Sequence, residues 1–365
     1  MGRLSRRMCG GGGRRPRVRR GGGSPRNGAG LPRIVSVGPG WIGGALRAGN
    51  PLPRWLVSYG SSYHVPVMVR EVLHYLRPER GGLYLDGTLG GGGHAAAILE
   101  ASASARLIAG DRDPEALSEA QRRLAAFGER LRIVGANFSD LIEIAGIEEE
   151  SLSGALLDLG ISSRQVDSEA RGFTFRSGAP LDMRMEGEAG LDSAADLLNA
   201  LAEEELATIF YRYGEERRSR RLARTIVEMR SAAPLTRSEE LVAAIDRSIP
   251  GATTQDRARI FQALRIAVNQ EIEALEAALP ALRDRLAPGG VMVVLSYHSL
   301  EDRIVKDAFR EWSRECVCPV GLPVCVCRGR PLGTLLTRKP VMASQEEVAS
   351  NSRSRSARLR AWRKT

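Results

Sequence analysis

Four features of the chain carry side chains or backbone suited to chemistry. The first is the tract Gly90-Gly91-Gly92-Gly93 followed by His94, and the second is Asp111, eighteen residues beyond Gly93. The third comprises Asp158 and His298, and the fourth is the set Cys316, Cys318, Cys325 and Cys327, packed into twelve residues. Glycines let a backbone approach a ligand closely, and an acid at the next strand end can accept hydrogen bonds from ribose hydroxyls. Asp86 stands where a dinucleotide fingerprint has its first glycine. That favours a cofactor without a pyrophosphate, although the spacing alone also fits NAD.

These residues need elements to hold them. Val69, Val72, Leu73 and Leu76 mark a helix ended by Pro78 and Gly81-Gly82. Short apolar runs at 83–86, 106–111, 131–134, 155–158 and 291–295 read as buried strands, with helical patterns between the first four. Asp113-Pro114-Glu115 supplies an N-cap and a first-turn proline. The alternation predicts a doubly wound parallel α/β sheet, whose ligands bind beyond the carboxyl ends of the strands. Gly90–His94, Asp111, Phe138, Asp158 and His298 all fall just after predicted strands.

Between residues 163 and 251 the alternation stops, and segments 193–212 and 217–230 are rich in Ala, Leu, Glu and Arg at helical spacing. An inserted helical subdomain over 164–251 follows, with the α/β domain formed by 61–163 and 252–365. Val268, Ile272, Leu275, Leu279, Leu282 and Leu286 form one apolar stripe, which predicts a single long helix kinked at Pro280. Residues 335–337 and 357–362 are expected to close one edge of the sheet as an antiparallel pair.

The formal charge is +10, but residues 1–70 carry thirteen arginines and no carboxylate, leaving 71–365 at net −3. Sixteen of the 40 glycines lie in residues 1–60, so this stretch has too little apolar surface to offset the entropy of ordering and reads as disordered. An Arg-rich transit peptide, a basic RNA-binding arm and translated sequence ahead of the true start are the three readings. A dispensable extension is favoured. Within the body, residues 328–365 hold a net +8 and residues 212–230 a net +4, and the C-terminal patch is the preferred phosphate contact. No run of 18 apolar residues and no signal peptide occurs, which points to a cytoplasmic protein.

Several ordered blocks carry a specific resemblance. They are His64-Val65-Pro66-Val67, Asp86 through His94, Asp111-Arg112-Asp113-Pro114, Leu157 through Ser163 with Gln165, and Arg171-Gly172-Phe173. To these are added Pro180 through Met185, Tyr213 through Arg217, and Ser296 through Arg303. Together, from residue 64 to the C-terminus, they resemble the MraW/RsmH family of S-adenosylmethionine-dependent 16S rRNA methyltransferases. The resemblance implies a class I methyltransferase fold with an inserted helical domain. It also implies methylation of the exocyclic N4 of a cytidine in the decoding region of small-subunit rRNA. By motif position, Gly92, Gly93 and His94 would line the methionine end of S-adenosylmethionine and Asp111 would bind ribose. Phe138 would lie against adenine, while Asp158 and Gln165 would complete the pocket.

The N4 lone pair of cytosine is delocalised into the ring, so catalysis needs in-line placement, acceptors that polarise the amine, and a destination for the proton. Asp158 is the first candidate, although Leu159-Gly160-Ile161 follows it where other amino-methyltransferases carry Pro-Pro-aromatic. His298 is the second. Rival readings are a methyltransferase acting on DNA amines and an S-adenosylmethionine-binding ribosome-assembly factor without activity. The Cys-x-Cys-x6-Cys-x-Cys arrangement can hold structural zinc, while reduced thiols without metal are equally allowed, and no metal is assigned to catalysis.

Overall fold

The computed structural model describes residues 66–161, 168–186, 191–319, 324 and 326–365. The glycine-arginine extension, His64, Gln165 and Cys325 lie outside the described residues. Chain order begins α1 (Val69–Leu76), β1 (Gly82–Asp86), α2 (Gly93–Ala101), β2 (Ala105–Asp111), α3 (Pro114–Leu124), β3 (Leu131–Gly135), α4 (Leu141–Ile144) and β4 (Leu152–Asp158). Helices α5 (Ala194–Ala200), α6 (Glu203–Arg212), α7 (Ser219–Arg230), α8 (Ser238–Ser248), α9 (Thr254–Asn269) and α10 (Glu271–Arg285) follow. The chain then runs through β5 (Leu286–Ser296), α11 (Ser299–Trp312), β6 (Gly333–Leu335), β7 (Val341–Met342), α12 (Gln345–Ser350) and β8 (Arg358–Lys364).

The sheet order is β3-β2-β1-β4-β5-β8-β6, with β7 also paired to β8. Strands β1 to β5 are parallel and β8 runs antiparallel to β5 and β6. The chain winds outward from β1 to β3 and returns to β4, so the order reverses between β1 and β4. In an open α/β sheet that is where a crevice opens at the carboxyl ends. The expected C-terminal antiparallel pair forms through Leu335 opposite Trp362. Its strand β8 is not an edge, because β5 and β6 flank it.

Both faces of the sheet are covered. Val72 and Leu76 of α1, Ile98 and Leu99 of α2 and Leu124 of α3 pack with Leu107 and Leu156 on one face. Leu275, Leu279 and Leu282 of α10 and Phe309 and Trp312 of α11 pack with Leu157, Val294 and Trp362 on the other. A third core joins the helices of the insertion, including Leu198, Leu206, Phe210, Leu222 and Ile245. Ile260, Phe261, Leu264 and Val268 of α9 belong to this third core, so helical packing continues past residue 251.

Two expected helices are each divided. Gln270 adopts φ 50°, ψ 39°, ending α9 and starting α10, which sends Val268 into the helical core and Leu275, Leu279 and Leu282 into the sheet core. The single stripe therefore serves two cores, and the break lies at Gln270 while Pro280 stays inside α10. Segment 193–212 divides at Leu201-Ala202, where the Glu205 carboxylate accepts the Ala202 amide at 2.9 Å and begins a new helix.

The insertion is tied to the sheet beside the crevice. The buried Asn269 side chain donates to Met183 O (2.7 Å) and accepts from the Met185 amide (2.9 Å). Arg112, just after β2, donates to Asn269 O (2.8 Å) and to Glu186 Oε1 (2.8 Å). Loop 183–186 is thereby fixed against the tip of β2.

Candidate active site

A cavity opens at the carboxyl ends of β1, β2, β4 and β5. Its walls include Gly90, Gly91, Gly93, His94, Asp111, Phe138, Asp158, Met185, Tyr297 and Glu301. The loop from Gly87 to Gly92 is held by the strand ends it passes. Gly87 N donates to Leu156 O (3.0 Å) and Leu89 N to Gly110 O (2.8 Å). Thr88 clasps two strands, because its amide donates to Asp86 Oδ1 (3.1 Å) and its hydroxyl oxygen accepts the Asp158 amide (2.6 Å).

The glycines differ in what they do. Gly90, with φ +50° and open space beside it, donates its amide to Asp111 Oδ2 at 2.7 Å. A Cβ on Gly93 would stand 2.8 to 3.1 Å from the Pro66 ring, so the loop packs where only hydrogen fits. Gly92 is buried, has φ +79° and faces Leu124. It shapes the turn, and the cavity wall is formed by its neighbours Gly91 and Gly93.

Three carboxylates converge here. Asp111 also accepts the Asp113 amide on Oδ1 (2.9 Å), and burial raises its carboxyl pKa against these amide bonds. Burial pushes Asp86 up to about 6, with His94 and the Thr88 amide pulling down, and Asp86 Oδ2 has no hydrogen-bond partner. Burial also raises Asp158, opposed by His94 and by the Tyr297 hydroxyl, which donates to Asp158 Oδ1 at 2.7 Å. Tyr297 itself is raised well above its ordinary value by burial and by the facing carboxylate.

His94 links the loop to β4. Its Nε2 lies 2.9 Å from Val67 O, which can only accept, so Nε2 bears a hydrogen and Nδ1 faces Asp158 Oδ2 at 3.5 Å. Phe138 stands after β3 and touches Gly87, where an added Cβ would meet its Cβ at 2.9 Å. Asp158, Phe138, Asp111, His94 and Gly93 are therefore brought together as the sequence predicts.

His298 is not. It does not line the cavity. Its Nε2 lies 3.0 Å from Glu301 Oε1 outside hydrogen-bond geometry, so the contact is electrostatic. Glu301, which does line the cavity, also accepts the Tyr297 amide at 2.9 Å. Burial raises the Glu301 carboxyl, but His298, the Tyr297 amide and Arg265 together take it below its usual value. His298 thus bears on the site through Glu301. Sequence reasoning missed Thr88, Tyr297 and Glu301 as site residues; the signal was their place in the ordered blocks that follow β1 and β5.

The two basic patches differ in how many of their charges the fold pairs internally. In the C-terminal segment Arg360 is 6% exposed and grips Asp302 at 2.6 Å, Arg358 approaches the same carboxylate at 3.8 Å, and Lys364 pairs with Glu150 at 3.2 Å. Those three charges are paired within the fold, whereas Arg330, Arg338, Lys339, Arg355 and Arg363 of the same segment are exposed. On α7 and just before it, Arg217, Arg218, Arg220, Arg221 and Arg224 are all exposed.

A parallel sheet of order 3-2-1-4-5, with an antiparallel strand beyond it, a glycine loop after β1 and an acid at the tip of β2, defines a class I methyltransferase fold. Residues 61–365 match the MraW methylase family, and the chain belongs to it. Two similar relatives are both named ribosomal RNA small subunit methyltransferase H. The protein of Gemmatimonas aurantiaca is 52% identical over 305 residues, 83% of this chain and 95% of that protein. That of Geobacter sulfurreducens is 52% identical over 307 residues, 82% of this chain and 98% of that protein. The first 60 residues fall before the family match. Among the described residues, no helix is long and apolar enough to cross a membrane.

Proposed function

We propose that this protein transfers a methyl group from S-adenosylmethionine to the exocyclic N4 of a cytidine in small-subunit rRNA, acting in the cytoplasm. The observation that carries the reading is the cavity in which the glycine loop, Asp111 and the Asp158–Tyr297 pair meet at the switch point of a methylase-family chain. The relatives' shared name supports the rRNA substrate.

The residues present fit this cofactor. Each Asp111 oxygen accepts one backbone amide and retains acceptor capacity suited to ribose hydroxyls. Phe138 offers a flat apolar face for adenine, and Gly93 and His94 bound the end where the amino-acid part would lie; Gln165 is assigned to the same pocket by motif. S-adenosylmethionine, when bound, supplies an electrophilic methyl group on a sulfonium.

The chain's own part is to orient the amine and accept its proton. Asp158, raised by burial, is a stronger base than an exposed carboxylate and offers Oδ2 while Tyr297 anchors Oδ1. His298 and Glu301 position Tyr297 through its amide. The inserted helices, with exposed arginines on α7 and Met185 in the cavity wall, form the substrate-recognition subdomain.

The test is transfer of labelled methyl to assembled small subunits, naked small-subunit rRNA and duplex DNA. Label in rRNA cytidine is expected. Label in DNA alone, or cofactor binding with no transfer to any of the three, overturns the reading.

A further inference from the structure

The cysteine segment is not used by the chemistry above, and its geometry has a meaning of its own. It lies in Glu315–Arg330, a stretch that falls outside the compact body formed by Tyr59–Arg314 and Pro331–Thr365. The sulfur atoms of Cys316, Cys318 and Cys327 all lie within 4.8 Å of one another. Cys327 Sγ and Cys316 Sγ are 3.8 Å apart. Zinc bonds thiolate sulfur at about 2.3 Å in a tetrahedron, which sets the sulfur–sulfur edge at about 3.8 Å.

The backbone is arranged to hold thiolates. The Val317 amide donates to Cys327 Sγ at 3.3 Å, and the Val326 amide donates to Cys318 Sγ at 3.4 Å. Each arm of the turn thus places an amide on a sulfur of the other arm. The two amides fix where the sulfurs stand, and the thiolate is the form that ligates metal. Three sulfurs this close surround a single ion; iron–sulfur clusters spread their cysteines around several metal atoms.

The segment also needs a staple. Val324 and Val326 are 58% and 78% exposed, so they do not supply a core for it. Segments too small to bury apolar surface are commonly ordered by metal or disulfide, and the free energy of zinc binding is then folding free energy.

We propose that Cys316, Cys318 and Cys327 bind one structural zinc ion that ties Cys316 and Cys318 to Cys327. The ion is redox-inert and has no part in methyl transfer.

Metal content separates this proposal from the fate of the methyltransferase reading. The full chain, purified without chelator, is expected to contain one zinc per chain by plasma mass spectrometry. Replacing zinc with cobalt(II) should give strong thiolate-to-metal charge-transfer absorption in the near ultraviolet and tetrahedral visible bands. Cys316→Ser and Cys318→Ser should each lose the zinc, whereas Cys9→Ser should keep it. If a variant fails to fold, the wild-type zinc content and cobalt spectrum still decide. Metal-free protein whose thiols all react at once with a disulfide reagent overturns the proposal, as does stoichiometric iron or an octahedral cobalt spectrum.

Discussion

Replacing Tyr297 by Phe removes one hydroxyl from the site and leaves the ring, which packs over Gly160, where a Cβ would meet Tyr297 Cδ2 at 3.1 Å. The hydroxyl donates to Asp158 Oδ1 at 2.7 Å and is one of the influences holding that carboxyl down against burial. A hydrogen bond to a charged group is worth about 1.5–3 kcal/mol. Its loss raises the Asp158 carboxyl further, and at about 1.36 kcal/mol per factor of ten it lowers the ionised fraction on the acid limb by about ten- to a hundredfold. The sign follows directly: the variant needs a higher pH to ionise Asp158. The acid limb of kcat should therefore move to higher pH, with turnover on that limb about ten- to a hundredfold lower, read by labelled methyl transfer to small subunits at saturating cofactor. Activity should recover at high pH, while thermal stability at pH 8, where the carboxylate is ionised, should fall by about the 1.5–3 kcal/mol of the lost bond. An acid limb that does not move would show that Asp158 is not the group whose ionisation controls turnover.

Asp86 is buried with a carboxyl raised to about 6 from 3.8, so its folded-state ionisation opposes folding above that range. At neutral pH the cost is about 3 kcal/mol, and stability should rise as pH falls from about 7 towards 4 through this group; Asp86→Asn should flatten that rise in thermal melts. Gly93→Ala drives a Cβ against the Pro66 ring and should weaken S-adenosylmethionine binding by about ten- to a hundredfold in calorimetry, with helix content unchanged. Replacing Arg217, Arg218, Arg220 and Arg221 together by alanine should lower the slope of log K against log salt for single-stranded rRNA by about 3, and leave cofactor affinity intact. Arg360→Ala should act on stability, costing about 1.5–3 kcal/mol in denaturant unfolding because Asp302 loses its close partner and keeps only Arg358 at 3.8 Å, with little direct effect on RNA affinity.

Much of the fold was legible because local pattern and tertiary role coincide. The runs ending at Asp86, Asp111 and Asp158 are apolar because these strands are covered on both faces, and the ligand-facing residue must come where the strand stops. The Asp113 cap with Pro114 formed as expected, with the Asp113 side chain accepting the Glu115 amide. What was not legible depends on partners far along the chain. The stripe from Val268 to Leu286 has uninterrupted helical spacing, yet Gln270 turns it because the two halves serve different cores. Counting charge gave the C-terminal segment a net +8 without showing that Asp302, about sixty residues earlier, takes Arg360 out of the exposed patch while Arg338, Lys339, Arg355 and Arg363 stay in it. His298 and Tyr297 are neighbours in sequence, and only the geometry separates the one that lines the cavity from the one that supports it.

The most direct test of the central claim is mass-spectrometric mapping of methylated cytidine in 16S rRNA from cells with and without the gene. The account predicts one decoding-region cytidine that loses an N4 methyl group in the deletion and regains it when the wild-type chain, but not Asp158→Asn, is restored. Identical cytidine methylation in both rRNAs would contradict it.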